Sequence, residues 1–193
     1  MKPDFTAIIT SIENDIVAGF SLLWTPASIL FFVFIYIILY PFTLWYTPLY
    51  SIITNQKQAL KTLAFSLLFL YLFSLPFYLF FPVTNVYTHY NLPSALNTVI
   101  PQIEMFFYTT TTQNNCFPSL HTAMSIIITR TIFITENKRF QYLGLFMMVT
   151  VIISVLYLSI HWIVDVIGGI IVALLALYLS EKTINWMNHH EST

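Results

Sequence analysis

One histidine and one aspartate near the C-terminal third of the chain are spaced for nucleophilic catalysis. His161 and Asp165 are four residues apart at the predicted start of a helix, so their side chains should project from one face. An aspartate that accepts from one imidazole nitrogen fixes the tautomer and leaves the other nitrogen free to attack. The spacing therefore predicts His161 as an oriented nucleophile and Asp165 as its orienter.

A second polar turn, at 117–121, leads directly into another predicted helix. Pro118 suits a first helical turn, and the backbone amides after it lack partners within the helix, so this end of the helix favours an anion. Ser119 adds a hydroxyl donor, and His121 is positioned to give a proton to a leaving oxygen. The turn predicts an anion-binding element with His121 as a general acid.

The segments that must position these residues are apolar enough to cross a membrane. Of the 193 residues, 58% are hydrophobic and only 8% are charged, which lies outside the range of soluble domains. A membrane span needs roughly 20 apolar residues, and four long runs contain no Asp, Glu, Lys or Arg: 16–56, 62–103, 105–129 and 140–164. Composition therefore predicts an integral membrane protein, and a net charge of −1 gives no basic surface for nucleic acid.

The hydrophobic pattern predicts an all-α bundle of five transmembrane helices plus an N-terminal interfacial helix. There would be six spans if the N-terminal segment also crossed the membrane. That segment, 5–25, places apolar residues at roughly helical spacing among acidic ones. The five predicted spans are about 26–50, with a kink or break at Pro41, then 59–81, 118–135, 140–160 and 161–182.

The connection 82–117 is the one loop long enough to form a lid. Part of it has the pattern of a short amphipathic helix on the membrane surface, with apolar residues Leu96, Val99, Ile100, Ile103, Phe106 and Phe107. No internal repeat or domain boundary is evident, so we expect one membrane-embedded domain over 1–193, with a motif-bearing core at about 59–182.

The basic residues predict an orientation in the membrane. Cytoplasmic loops collect Lys and Arg, and these residues cluster between spans one and two, between spans three and four, and at the end of span five. The 82–117 connection and the turn before His161 contain neither. We therefore expect the site on the extracytoplasmic face of a cell membrane.

On these residues the sequence resembles the type 2 phosphatidic acid phosphatase superfamily of lipid phosphatases and phosphotransferases. The family's second motif, Pro-Ser-Gly-His, is matched by Pro-Ser-Leu-His at 118–121. Its third motif, Ser-Arg, five residues, His, three residues, Asp, is matched at Ser154, His161 and Asp165. The resemblance implies that His161 forms a phosphohistidine, that Asp165 orients it, that His121 is the general acid and that Ser119 contacts phosphate.

Some positions depart from the family pattern. Val155 stands at the third-motif arginine, and the first motif, Lys, six residues, Arg-Pro, is not found. Leu120 in place of glycine and Trp162 after His161 resemble the inositol phosphorylceramide synthase branch, which passes a phosphoryl headgroup between lipids. Without the usual cations, neutral donors must hold the phosphate, and we take His89 and Asn115 with Ser119 as candidates. This predicts a slow enzyme, a low-pH optimum, an added metal ion or no activity.

Three functions stay open from the sequence. The first is a lipid phosphatase or phosphotransferase that acts on a phosphorylated lipid and needs neither an organic cofactor nor a metal. The second is a zinc-dependent intramembrane hydrolase, with ligands from His89, His121, His161 and Asp165. The third is a non-catalytic protein that binds lipids or serves as an accessory subunit. The sequence assigns no headgroup and no oligomeric state.

Overall fold

The computed structural model describes residues 4–99, 101–102, 104–105 and 113–191, and within these ranges the regular elements are helices. The N-terminal helix α1 is followed by a 3₁₀-helical segment, Ala18–Leu23. The helices are α1 (Thr6–Glu13), α2 (Pro26–Ile53), α3 (Lys57–Phe80), α4 (Val86–His89), α5 (Ala95–Val99), α6 (Leu120–Ile134), α7 (Lys138–Tyr157) and α8 (Ile163–Glu191). The predicted helix over 5–25 is therefore two shorter helices.

Four of these helices, α2, α3, α7 and α8, are long and apolar enough to cross a membrane. Helix α6, the remaining predicted span, has 15 residues, or about 22 Å at 1.5 Å per residue, against a hydrocarbon core of about 30 Å. Helix length thus supports four spans, and a fifth or sixth is not confirmed. Large apolar side chains are exposed on the outer faces, as lipid contact requires, among them Phe31, Trp45, Leu68, Phe146 and Leu174.

Helix α2 contains a π-helical segment, Ile35–Leu39, in the turn before Pro41. Proline has no N–H to donate and its ring crowds the preceding turn. The Tyr40 N–H bonds to the Ile35 carbonyl, five residues back rather than four. The kink or break predicted at Pro41 is therefore one widened turn, and the helix continues through it.

The two helices that carry the predicted site begin two residues later than expected. Helix α6 begins at Leu120, with Ser119 as its N-cap. Helix α8 begins at Ile163, so His161 precedes the helix. The prediction that His161 and Asp165 project from one helical face is therefore wrong, and the contact between them has another cause, which lies in the turn itself.

Helix α8 packs along α3 and α6, and α6 packs along α7. Gly169 lets α8 approach the start of α6, because a Cβ at this position would lie 2.5 Å from the Ser119 carbonyl oxygen. This close approach brings the first turns of α6 and α8 together at one end of the bundle. The core between α3, α6 and α8 includes Leu70, Ile127 and Ala173.

The N-terminal segment and the connection after α3 cover that end of the bundle. Buried Ile9 and Val17 pack in one cluster with Val83, Val86 and Trp162. In the connection, Leu96 is buried. Four residues of the predicted loop helix lie outside the described residues: Ile100, Ile103, Phe106 and Phe107.

Candidate active site

The turn before α8 holds the side chains of His161 and Asp165 together. Asp165 Oδ2 accepts the backbone N–H of Trp162 at 2.9 Å and lies 3.3 Å from His161 Nδ1. One carboxylate oxygen therefore closes the turn and orients the imidazole. Both side chains are buried, and Asp165 has no exposed surface.

His121 lies on the other side of the same imidazole. Its Nδ1 is 3.3 Å from His161 Nε2. If Asp165 accepts the proton of His161 Nδ1, then His161 Nε2 carries a lone pair and faces a proton on His121 Nδ1. The structure thus brings Asp165, His161 and His121 into one line of side chains.

Two tyrosines of α2 pack against His121. The centroids of the Tyr36 and Tyr40 rings lie 4.8 Å and 5.2 Å from the centroid of the His121 ring. Tyr40 also donates its hydroxyl to Met124 Sδ at 3.5 Å. Sequence reasoning missed both tyrosines, and the only local signal was Pro41, which follows Tyr40 and the widened turn at Ile35–Leu39.

Backbone hydrogen bonds join the starts of α6 and α8. The Ser119 N–H donates to the Asp165 carbonyl at 2.9 Å, and the Tyr78 hydroxyl donates to the Pro118 carbonyl at 2.6 Å. Ser119 Oγ accepts the Thr122 N–H at 3.4 Å as the N-cap of α6. Ser119 is therefore buried beside the predicted catalytic residues, and its contact with phosphate stays a prediction.

A second carboxylate, Glu13 of α1, binds the first amides of α8. It accepts the backbone N–H of Ile163 at 2.9 Å and that of Val164. Burial raises the pKa of the Glu13 carboxyl, although these two hydrogen bonds oppose the shift. Sequence reasoning took Glu13 only as a polar residue of the interfacial helix, because its partners are backbone groups about 150 residues away.

The remaining predicted phosphate ligands lie further out. His89 is exposed, and the centroid of its ring lies 5.7 Å from that of Trp162 in an edge-on contact. Asn115 is also exposed, and its backbone pairs with Val83 in an isolated bridge. Within the described ranges, neither side chain is hydrogen-bonded to His121, His161 or Asp165. The structure therefore brings together the predicted nucleophile, orienter and acid, but not these two donors.

A possible metal-binding cluster includes a residue that the zinc hypothesis had omitted. Cys116 Sγ, one nitrogen of His161 and one oxygen of Asp165 lie within 4.8 Å of one another, and all three residues are buried. Burial raises the pKa of the Cys116 thiol, and the charge of Asp165 adds to this shift. Neither His89 nor His121 belongs to this cluster.

Every described Lys and Arg lies towards the other end of the bundle. Lys57 and Lys61 begin α3, which ends near the site, and Lys138 and Arg139 begin α7. Val155, at the third-motif arginine position, is buried, and its carbonyl accepts the N–H groups of Ile160 and His161 at 3.0 Å and 3.1 Å. The remaining described cations, both near the C-terminal ends of their helices, are Arg130 and Lys182.

Comparison with protein families adds a finding that is independent of this geometry. A family model described as the PAP2 superfamily matches residues 12–179. The chain belongs to the PAP2 superfamily. Membership supports a phosphatase-type function on phosphoric esters. The match does not select the inositol phosphorylceramide synthase branch, and neither the curated proteins nor the solved structures contain a match to this chain.

The matched range of this PAP2 superfamily protein is wider than the predicted core at about 59–182. It begins in α1 and includes α2, so it contains Glu13, Tyr36 and Tyr40 as well as His121 and His161. The match thus covers the end of α1 and all of α2, including Glu13 and the two tyrosines beside His121.

Proposed function

We propose that this protein is a membrane phosphatase or phosphotransferase of lipid phosphates that works through a phosphohistidine on His161. The observation that carries the proposal is the alignment of three side chains. Asp165 Oδ2 lies 3.3 Å from His161 Nδ1, and His161 Nε2 lies 3.3 Å from His121 Nδ1. A carboxylate-oriented imidazole beside a second imidazole is the arrangement that nucleophilic attack with proton donation requires.

In the first step, the lone pair of His161 Nε2 attacks phosphorus and the bond from phosphorus to the leaving oxygen breaks. His121, protonated on both ring nitrogens, gives its Nδ1 proton to that oxygen and becomes neutral, while Asp165 stabilises the positive charge that develops on His161. In the second step, neutral His121 accepts a proton from water or from a lipid hydroxyl, whose oxygen attacks phosphorus, and the bond from phosphorus to His161 Nε2 breaks. The cycle restores both imidazoles.

Substrate binding must separate the two imidazoles. The attacking nitrogen approaches phosphorus at about 3–3.5 Å, and a proton donor lies about 2.6–3.2 Å from the leaving oxygen. The two nitrogens, 3.3 Å apart in this structure, leave no space for a phosphoryl group between them. We therefore expect His121 to exchange its contact with His161 for one with the substrate.

The position of the site in a membrane-embedded bundle supports a lipid substrate. Four helices are long and apolar enough to span a membrane, so a substrate with acyl or prenyl chains can stay in the bilayer while its phosphate reaches the helix ends. We propose that α6 is a fifth span, because it connects the site end of α3 to the opposite end, where α7 begins. The positive-inside rule then places the site on the extracytoplasmic face.

Transfer to a second lipid is the finer form of this proposal. The Phe-Pro-Ser-Leu-His sequence at 117–121 and the His161-Trp162 pair resemble the inositol phosphorylceramide synthase branch. A lipid hydroxyl would then replace water in the second step. Comparing turnover with and without a lipid alcohol separates hydrolysis from transfer.

Trapping the covalent intermediate tests the proposal directly. Purified protein in detergent is incubated with ³²P-labelled phosphatidic acid, polyprenyl diphosphate or inositol phospholipid and quenched rapidly. We expect acid-labile, base-stable label on the wild-type protein and none on His161→Ala. His190→Ala is the matched control, because this histidine is exposed in the last turn of α8, away from the site, and it should label normally.

Two results would overturn the proposal. One is label or full turnover in His161→Ala. The other is the absence of turnover across the whole lipid panel in protein that binds those lipids, which would select the non-catalytic function instead.

A further inference from the structure

Cys116 lies beside the proposed nucleophile without a role in the proposed reaction. It is 7% exposed, and its Sγ contacts the Ile160 carbonyl oxygen at 3.9 Å. Its sulfur, one nitrogen of His161 and one oxygen of Asp165 lie within 4.8 Å of one another. A thiol, an imidazole and a carboxylate, all buried, therefore converge on one small volume.

Asp165 provides an independent indication of a cation. Its Oδ2 is used by the Trp162 N–H and by His161, but its buried Oδ1 has no hydrogen-bond partner among the described residues. A buried carboxylate oxygen without a partner is costly, and the described Lys and Arg residues lie at the far end of the bundle. A bound cation would satisfy this oxygen.

The donor atoms indicate which cation. Sulfur, imidazole nitrogen and carboxylate oxygen suit zinc, whereas Mg²⁺ and Ca²⁺ take oxygen ligands. Zinc bonds of about 2.0–2.3 Å in tetrahedral geometry separate the ligand atoms by about 3.3–3.7 Å. The three side chains need to close by roughly 1 Å from their present spread, which a change of side-chain torsion can supply.

We propose that Cys116, His161 and Asp165 bind one zinc ion and that this ion inhibits the enzyme. Binding of the metal is independent of the proposed function, whereas inhibition rests on it. Zinc takes an imidazole lone pair of His161 and a carboxylate oxygen of Asp165, so the metal-bound protein has no oriented nucleophile. Loss of zinc returns both side chains to the contact seen here.

Cobalt provides a direct measurement of the site. Metal-free, reductant-free protein in detergent is titrated with Co²⁺, whose thiolate complexes absorb in the near ultraviolet. Cys116 is the only cysteine in the chain, so a thiolate band reports this residue alone. We expect saturation at one equivalent in the wild-type protein, displacement by Zn²⁺ and no effect of Mg²⁺.

Variants separate the proposed ligands from their neighbours. Cys116→Ser and Cys116→Ala should both lose the cobalt band, and His161→Ala should weaken binding. His89→Ala should bind cobalt as the wild-type protein does, because His89 lies outside the cluster. Absence of a thiolate band in the wild-type protein, or an unchanged affinity in His161→Ala, would overturn the site.

Turnover measures the inhibitory role. Zinc should lower wild-type turnover of a lipid phosphate, and a chelator should restore it. Cys116→Ser should keep its basal turnover. Loss of an outer partner alone costs about 10–100-fold in metal affinity, so loss of this ligand should raise the zinc concentration for half-inhibition at least about tenfold.

The combined results distinguish this proposal from the proposed function. A cobalt site with no turnover on any lipid supports the metal site and contradicts the proposed function. Phosphohistidine formation without any metal site supports the proposed function and contradicts the metal site. A chelator that abolishes turnover would overturn inhibition and indicate a zinc-dependent reaction.

Discussion

The two ends of the helical bundle differ in how far their charged side chains are buried and in which groups pair with them. At the site end, the carboxylates of Glu13 and Asp165 are 4% and 0% exposed, and their partners are backbone amides and an imidazole. At the far end, Arg130 and Glu181 form an ion pair of 2.9 Å between side chains that are 46% and 49% exposed. At the site end, buried carboxylates thus accept hydrogen bonds from groups held in place by the fold. At the far end, exposed side chains of opposite charge pair with each other.

This difference shows how buried carboxylates can be stabilised when every described lysine and arginine lies at the far end of the bundle. The first amides of a helix are unpaired donors, and the positive end of the helix dipole adds to their effect. Asp165 and Glu13 use the start of α8 in this way. An exposed ion pair contributes only about 0–1 kcal/mol, so changes at the site end should have much larger effects than changes at the far end.

Asp165→Asn should have the largest effect. The asparagine lacks the charge that orients and stabilises the His161 imidazole, and the loss of such a carboxylate lowers turnover by about 10⁴-fold in a comparable His–Asp pair. Glu181→Gln removes one carboxylate charge at the far end and should leave turnover unchanged. Initial rates and thermal unfolding of both variants, measured in the same detergent, test this. Equal losses of turnover in the two variants would contradict the conclusion that changes at the site end have larger effects than changes at the far end.

Gly169→Ala should have the next largest effect, through packing rather than charge. The added Cβ would lie 2.5 Å from the Ser119 carbonyl oxygen, so α6 and α8 must move apart. Overpacking of this kind costs roughly 1–3 kcal/mol, and turnover should fall with the unfolding temperature. Gly19→Ala is the matched control, because a Cβ there has nothing within 4 Å. Unfolding temperatures lowered equally in both would show that the helix contact is not the cause.

Glu13→Gln should have the smallest effect, and it should depend on pH. Because burial raises the pKa of Glu13, the folded protein holds this proton more tightly than the unfolded chain does. The stabilisation from this carboxyl is therefore full at low pH and declines as pH rises from about 4.5 through the raised value. Glutamine does not titrate in this range.

The measurement for Glu13 is the difference in unfolding temperature, wild type minus variant, as a function of pH. We expect this difference to decrease across the titration window and to stay level above it. A difference that increases with pH would mean that the ionised form is the one the folded state prefers.

The positions of the long helices could be predicted because membrane spans need long apolar segments. Helix α2 begins at Pro26 as expected, and α3 and α7 begin within two residues of the prediction. The meeting of His121 and His161 was also predictable, since both were placed at helix starts on one side of the membrane. These inferences depend on which segments are apolar and on which end of each helix a residue occupies. Both can be read from the sequence.

The partners of the site residues could not be predicted in the same way. Glu13 binds backbone amides of Ile163 and Val164, and because every residue except proline has such an amide, no pattern of residue types marks them. His161 proved to precede α8, since Asp165 closes a turn there by accepting the Trp162 N–H. Hydrogen bonds to the backbone thus account for what sequence reasoning missed.

The π-helical segment of α2 acts as a one-residue insertion in a regular helix. It rotates the side chains that follow it relative to the side chains that precede it. Residues before it pack against Ala95, Leu96 and Val155, whereas Tyr40, after it, reaches His121. Deleting one residue from Ile35–Leu39 would restore a regular helix and rotate one half by about 100° relative to the other. Either the first half would then lose its neighbours or the second would turn away from His121. One additional residue in this turn therefore determines how α2 is aligned with the site.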